Sequence, residues 1–254
     1  RMALGSAKEE SVKPIPPEAP QEKPLYLDSS LPVNELFCAD SLNRYIKFSD
    51  RDLKHYLPEG FTDRFVKTEV ESVGSTCIML RKPVLDAIEA LKQAEQHAFV
   101  RKFSPRPPIF HGHKGCGKSL LLSLVVFWAR KSDWFVVYIP SGNKWINGGG
   151  YIEKSPASTP EKTLWDQPQV AYEFFNNLLD AHSDKLKLIR IKTKITIGKL
   201  QPKTLFDLVE FGAALIQFAA EAFIHFRNEL YRITEFPVLV VADDYNMFFN
   251  TSEF

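Results

Sequence analysis

The chain has 254 residues, 44 % of them hydrophobic, enough to bury the core of one large domain or two small ones. Its 32 lysines and arginines against 31 aspartates and glutamates leave a formal charge of +1, which excludes a global field drawing it onto nucleic acid or an anionic membrane, so any such contact must be local. Cys38, Cys77 and Cys116 form no CxxC pair and stand beside no His cluster at metal-ligand spacing; they read as reduced intracellular thiols, with neither a disulfide framework nor a zinc site.

The chain opens on Arg1 and not on Met, as it would after removal of an organelle presequence or at an artificial boundary. Residues 1–30 carry Pro14, Pro16, Pro17, Pro20 and Pro24 among Lys and Glu with few large apolar side chains. Such a segment cannot bury enough surface to fold alone, and it reads as an extended proline-rich arm laid on a partner or as a disordered leader. Residues 31–70 read as an N-terminal elaboration in which "SDRDLKHYLPEGFTDRF" predicts a short helix ended by Pro58 and Gly60. Residues 71–254 hold the main domain. It begins with "CIMLRKPVLDAIEALKQAEQ", an apolar run followed by a helix with Pro83 in its first turn and Val84, Ile88 and Leu91 on one face.

From there the pattern alternates. "PPIFHG" predicts a short strand entering a glycine loop, "KSLLLSLVVFWARK" a helix, "WFVVYIP" a strand and "WDQPQVAYEFFNNLLDAH" another helix. After a basic, β-like stretch, Thr204 with Asp207 three residues on caps a long helix. Within it, Leu208 to Phe226 is the most apolar run of the chain, but Glu210, Gln217, Glu221 and His225 recur at helical spacing, so it predicts a buried amphipathic helix and not a membrane span. "PVLVVADD" closes the series as a near-continuous apolar strand. Apolar strands separated by helices predict an α/β domain with a parallel sheet flanked by helices.

Gly112-His113-Lys114-Gly115-Cys116-Gly117-Lys118-Ser119 satisfies G-x-x-x-x-G-K-[ST], the phosphate loop. Glycines let backbone N–H groups curl around a phosphate, the lysine carries charge to the β and γ positions, and the loop ends on a helix N-terminus whose unpaired N–H groups and dipole favour anions. The predicted nucleotide-binding set is therefore Gly112, His113, Lys114, Gly115, Cys116, Gly117, Lys118, Ser119 and Leu120. Ser119 would ligate Mg²⁺ directly, and Asp243, ending an apolar strand as in a Walker B motif, would hold it through water. Asp244 stands where many ATPases carry a glutamate that orients the attacking water, which makes it the candidate catalytic residue; whether hydrolysis occurs stays open.

Three other features carry less. His111 and His113 lack a third ligand, so loop packing explains them better than a metal. Asn143-Lys144 resembles the start of the guanine-reading N-K-x-D motif, but the fourth position is Ile146, and the reading fails. The run Lys185 to Lys199 has six basic residues and no acid, so Lys185, Lys187, Arg190, Lys192 and Lys194 are candidate RNA contacts, set against an ordinary solvated hairpin.

"CIMLRKPVLDAIEALK", the phosphate loop, "DWFVVYIPSGNKWING", "WDQPQVAYEFFNNLL" and "VLVVADDYNMFF" occur in an order and spacing that resemble the death-associated protein 3 family, P-loop proteins of the mitochondrial ribosomal small subunit. The resemblance implies an AAA-like P-loop NTPase fold and a place in the small-subunit head near the subunit interface. It also implies a mitochondrial matrix location, contacts with other mitochondrial ribosomal proteins and small-subunit rRNA, and a bound GTP or GDP with Mg²⁺; the residues themselves do not exclude ATP. Gly112, Gly115, Gly117, Lys118 and Ser119 match the family's phosphate loop, Asp243 its Mg²⁺-side aspartate and Asn246 its nearby asparagine. Trp145 and Asp166-Gln167-Pro168 match without a catalytic role. Asp244 stands where a relative in that family carries glycine. An AAA-like core continues through two further strands beyond the Walker B position, so the C-terminal part of that core is expected from a second polypeptide or from a longer chain. The alternative is an AAA-type or signalling-type NTPase switch acting on a protein partner, with Asp244 activating water.

Overall fold

The computed structural model describes residues 24–60, 75–97, 107–148 and 150–250. Most of the expected arm, residues 1–23, and the last quarter of the elaboration, residues 61–70, lie outside the described residues.

Strands β1 (Tyr26–Asp28), β2 (Tyr45–Phe48) and β3 (Thr76–Met79) form an N-terminal sheet, with β1 parallel to β2 and β2 antiparallel to β3. Period-two alternation sends Leu27, Ile46, Phe48 and Ile78 to its buried face. Between β1 and β2 lie α1 (Val33–Leu36) and a 3₁₀ turn, Ala39–Ser41. Then comes α2 (Asp50–Tyr56), the short helix expected here; the Ser49 side chain accepts the Asp52 N–H at its start, and Leu57 caps it just before Pro58.

Helix α3 (Lys82–His97) buries Val84, Ala87, Ile88 and Leu91, as its spacing predicts. Helix α4 (Lys118–Lys131) is buried nearly all round from Ser123 to Arg130. Its apolar residues pack with α3, the N-terminal sheet and one face of a parallel pair made by β4 (Phe135–Ile139) and β7 (Val238–Ala242). Phe135 and Val137, on the other face, join a second core built by α6 (Pro168–Leu188), α7 (Leu205–Ala214) and α8 (Ile216–Leu230). Parallel strands with helices on both faces are the α/β arrangement the alternation implied. The short helix α5 (Gly142–Asn147) follows β4, and the two-residue strands β5 (Glu153–Lys154) and β6 (Trp165–Asp166) pair antiparallel before α6.

Three local expectations are corrected. "PPIFHG" is not a strand. A strand needs a ladder partner, and an apolar groove of about 420 Å³, lined by Pro107, Phe110, Val125, Trp134, Leu239 and Val241, separates this segment from β7. The expected long helix breaks at Leu215, whose φ of −127° and ψ of 94° end α7 and start α8. The break turns α8 back, so that Ala222 and Phe226 reach the core that α7 already fills with Leu208 and Val209. The basic stretch is not a regular strand either: Lys185 and Lys187 lie in the last turn of α6, and the following chain forms isolated bridges, Arg190–Thr204 and Ile197–Leu200, in place of a continuous ladder. Its buried residues, Ile189, Ile195 and Ile197, anchor it to the second core as a loop.

Candidate functional site

The phosphate-loop residues adopt a conformation that needs their glycines. Gly115 and Gly117 both have φ of +83°, a left-handed region that side chains avoid. Gly112, with φ of +150°, leaves room for the Cys116 thiol, which would lie 3.0 Å from a Cβ at that position. Gly117 is the N-cap of α4 and supplies no side-chain cap, so the first N–H groups of a 14-residue helix face the loop unpaired. Lys118 folds its ammonium over the loop, donating to the carbonyls of Gly112 at 3.1 Å and His113 at 3.0 Å. Left-handed glycines, a helix N-terminus without a side-chain cap and a lysine inside the turn are groups that could donate to an anion. His113, Lys114 and Cys116 are exposed on the loop, while Ser119 and Leu120 are half-buried in the first turn of α4.

Asp243 is buried at the C-terminal end of β7, where its N–H bonds to Ile139 O at 2.9 Å and its carboxylate accepts the Asp244 N–H at 2.9 Å. Tyr138 links it to the phosphate-loop helix. The phenol is buried, and both Ser123, in the second turn of α4, and Asp243 lie close enough to influence its ionisation. Burial above all, with Asp243 adding, pushes the hydroxyl well above the ordinary tyrosine value, so it stays protonated. The two halves of the predicted site thus converge on one buried side chain. Among the described residues no cluster of three His, Cys, Asp or Glu forms, so Mg²⁺ at Ser119 and Asp243 would complete its shell with phosphate and water.

A model of the family described as mitochondrial ribosomal death-associated protein 3 matches residues 78–254. The chain belongs to that family. The small ribosomal subunit protein mS29 of Bos taurus is 28% identical over 213 residues, which cover 81% of this chain and 51% of that protein. Its Mus musculus counterpart is 28% identical over 177 residues, 68% of this chain and 43% of that protein. The chain therefore spans about half the length of the curated relatives it matches. A protein of this mitochondrial ribosomal family belongs in the mitochondrial matrix.

The other residues singled out in this family member divide into two groups. Trp145 packs its ring on Phe174 and Phe223, and Gln167 donates to the carbonyls of Trp145 at 2.8 Å and Ile146 at 3.4 Å, tying the end of α5 to the start of α6. Lys144, whose motif failed in sequence, pairs with Glu173 at 2.5 Å and lowers that carboxyl's pKa. These are structural roles. Asp244 is exposed, in the left-handed region at φ of 53°, and its carboxylate accepts the Ser141 hydroxyl at 3.3 Å. Asn246 is exposed in the 3₁₀ turn that follows, Tyr245–Phe249.

In the basic stretch, Lys185 bonds to Trp134 O at 3.0 Å and to Asp133 at 2.8 Å, and Lys192 is held by Arg232 O, Thr234 and Glu235. Lys187 has the exposed Asp184 at 3.6 Å, a weak partner, and lies over the Phe206 ring at 5.1 Å from its centroid, while Arg190 and Lys194 are exposed without an ion-pair partner among the described residues. Two of the five candidate RNA contacts are thus committed to the fold, and three present their charge to solvent.

Two contributors escaped the motif search. Gly142 places its N–H 2.9 Å from Asp243 O, and a Cβ there would stand 2.6 Å from Asp244 O. Arg81, whose guanidinium donates to Cys116 O at 2.9 Å, read in sequence only as part of the "CIMLRKPVLDAIEALK" stretch that carries the family resemblance.

Proposed function

We propose that the chain is a component of the mitochondrial ribosomal small subunit whose P-loop domain retains a guanine nucleotide, GTP or GDP, with Mg²⁺, as a stabilising ligand. Family membership carries the ribosomal reading, because the relatives are small-subunit ribosomal proteins by name. The anion-binding geometry of residues 112–120 supports the nucleotide. Gly112 to Leu120 would hold the phosphates, and Ser119 and Asp243 the Mg²⁺, which neutralises phosphate charge when bound. A ligand that binds only the folded form stabilises it by mass action without turnover. The choice of guanine rests on the family resemblance, since no base-reading motif survives in the sequence.

Other small-subunit proteins and rRNA are the partners, with Lys187, Arg190 and Lys194 the residues free to meet phosphate. A further strand, from a second polypeptide or from a longer chain, would fill the groove beside β7, whose outer edge has no partner among the described residues. No helix among the described residues is long and apolar enough to cross a membrane. The alternative, an NTPase switch, asks Asp244 to orient water, whereas its carboxylate is engaged by Ser141.

Sedimentation of the endogenous protein through a sucrose gradient, with Mg²⁺ present and then chelated, tests the ribosomal part. Co-migration with the small subunit is expected. Migration as a free monomer or small ring in both conditions would overturn it. Lys118→Ala should lower the nucleotide recovered from purified protein, and full recovery would remove the phosphate-loop assignment.

A further inference from the structure

Arg81 follows the last residue of β3 by two positions and precedes the first residue of α3. Its backbone neighbourhood is fixed: Leu80 donates to Arg44 O and accepts from Asn43 N–H, both at 2.9 Å. From that anchored corner the guanidinium crosses to the phosphate loop and donates to Cys116 O at 2.9 Å. It has no carboxylate partner among the described residues, so this carbonyl is the group it serves. Gly117 completes the contact from the other side. A Cβ on Gly117 would stand 2.8 Å from the same guanidinium nitrogen, so the missing side chain makes room for Arg81 as well as permitting the positive φ.

A trans peptide is planar, and its C=O and N–H point in opposite directions. No peptide among the described residues is cis. Fixing Cys116 O towards Arg81 therefore aims the Gly117 N–H the opposite way, away from Arg81, where it has no acceptor among the described residues. An isolated loop with glycines at both 115 and 117 could rotate this peptide at little cost, because glycine tolerates either sign of φ. Arg81 removes that freedom.

We propose that Arg81 is a positioning residue for the nucleotide site: its hydrogen bond to Cys116 O holds the Cys116–Gly117 peptide so that the Gly117 N–H is presented to a nucleotide phosphate. This deepens, and rests on, the nucleotide reading given above. Because β3 pairs with β2, the device also makes phosphate binding depend on the seating of the N-terminal sheet. Preorganised donors bind a developing or resident anion without reorganisation at the moment of binding.

The test is GDP binding by titration calorimetry in Mg²⁺, together with the Gly117 amide resonance in a ¹⁵N–¹H spectrum, for the unsubstituted chain and Arg81→Leu, Arg81→Gln and Lys118→Ala. Glutamine keeps a side-chain N–H donor without the charge, whereas leucine removes the donor. Arg81→Leu is expected to weaken GDP about tenfold or more and to abolish the GDP-induced shift of Gly117. Arg81→Gln should stay within about threefold of the unsubstituted chain and keep the shift. Unchanged affinity in Arg81→Leu overturns the proposal. So does equal loss in Arg81→Gln and Arg81→Leu with the Gly117 shift retained, which would mean that the charge acts directly. No GDP binding by the unsubstituted chain sinks the nucleotide reading and the positioning role with it, whereas loss in Lys118→Ala alone leaves the nucleotide reading standing and Arg81 without its role.

Discussion

The imidazole Nε2 of His182 stands 3.0 Å from the amide nitrogen of Val136 and 3.1 Å from the carbonyl oxygen of the same residue. Phe135 N–H bonds to Pro237 O on the β7 side, so the groups of Val136 point to the opposite, outer edge of β4. A side chain, carried on the kinked turn of α6, thus closes an edge that would otherwise expose an unpaired buried amide.

Burial first, and the charges of Arg130 and Lys185 next, push the His182 pKa down to about 3, so the folded protein holds the ring neutral. Unfolded chain takes up that proton near pH 6.5, as a free histidine does. The contribution to stability is therefore full above about pH 6.5 and is lost progressively as the pH falls towards 3, with a slope approaching about 1.4 kcal/mol per pH unit from this group. Thermal midpoints should fall between pH 7 and pH 5, and His182→Gln, which cannot titrate, should flatten that fall. An equal fall in the variant would exclude His182 as its cause.

Arg130 and Glu59 form a two-pronged pair at 2.8 and 2.6 Å with side chains only 2% and 4% exposed, and Arg130 also donates to Tyr56 O at 2.8 Å. The pair pins the loop after α2 to the last turn of α4. Removing one partner leaves a buried charge uncompensated, so Glu59→Ala should cost about 3–5 kcal/mol. Replacing both with apolar residues, Glu59→Leu with Arg130→Met, should cost less than Glu59→Ala alone. Urea unfolding midpoints decide this, and a double variant less stable than Glu59→Ala would show that the pair itself contributes net stability.

Periodicity and motif carried much of this in the sequence. The glycine turn of residues 112–117, strand β7, α3, α4 and the Thr204–Asp207 cap are each specified within a short stretch, by chemistry that acts locally. Long-range pairing was not legible. The segment before the phosphate loop has strand composition, but a strand exists only with a partner, and the groove beside β7 separates it from the nearest one. The basic stretch reads as a strand with one basic face because its lysines partly alternate with leucine, isoleucine and threonine. Glu229, buried on α8, instead gathers it, accepting Lys192 N–H at 2.9 Å and the Thr193 hydroxyl at 2.5 Å. Nor could spacing reveal Arg81, because the carbonyl it serves lies 35 residues away.

Gly142 illustrates how tightly α5 docks on the end of β7. An alanine Cβ there would meet backbone oxygen, Asp244 O at 2.6 Å and Asp243 O at 3.2 Å, and neither can swing aside as a side chain would. Gly142→Ala should therefore destabilise by about 1–3 kcal/mol. Because one of the displaced atoms belongs to Asp243, the aspartate proposed to hold Mg²⁺, it should also weaken Mg²⁺-dependent nucleotide retention. Calorimetric unfolding with nucleotide assay of the same preparations measures both. Loss of stability with unaltered Mg²⁺ dependence would separate Asp243 from the metal.

Asp244 offers the sharpest division between a kept and a consumed nucleotide. Its carboxylate lies 3.3 Å from the Ser141 hydroxyl, which itself accepts the Lys144 N–H at the start of α5. The side chain thus helps to brace an N-cap at the protein surface, an exposed hydrogen bond of about 1 kcal/mol. Asparagine retains an acceptor oxygen for Ser141 and tolerates the left-handed backbone found at this position, so Asp244→Asn should shift stability by under about 1 kcal/mol. It should leave nucleotide retention unchanged, with phosphate release no faster and no slower than before. Multiple-turnover release by the unsubstituted protein that disappears in Asp244→Asn would instead identify the carboxylate as the group that activates water. The family member would then be a working switch, with the Ser141 contact the resting position of its catalytic residue.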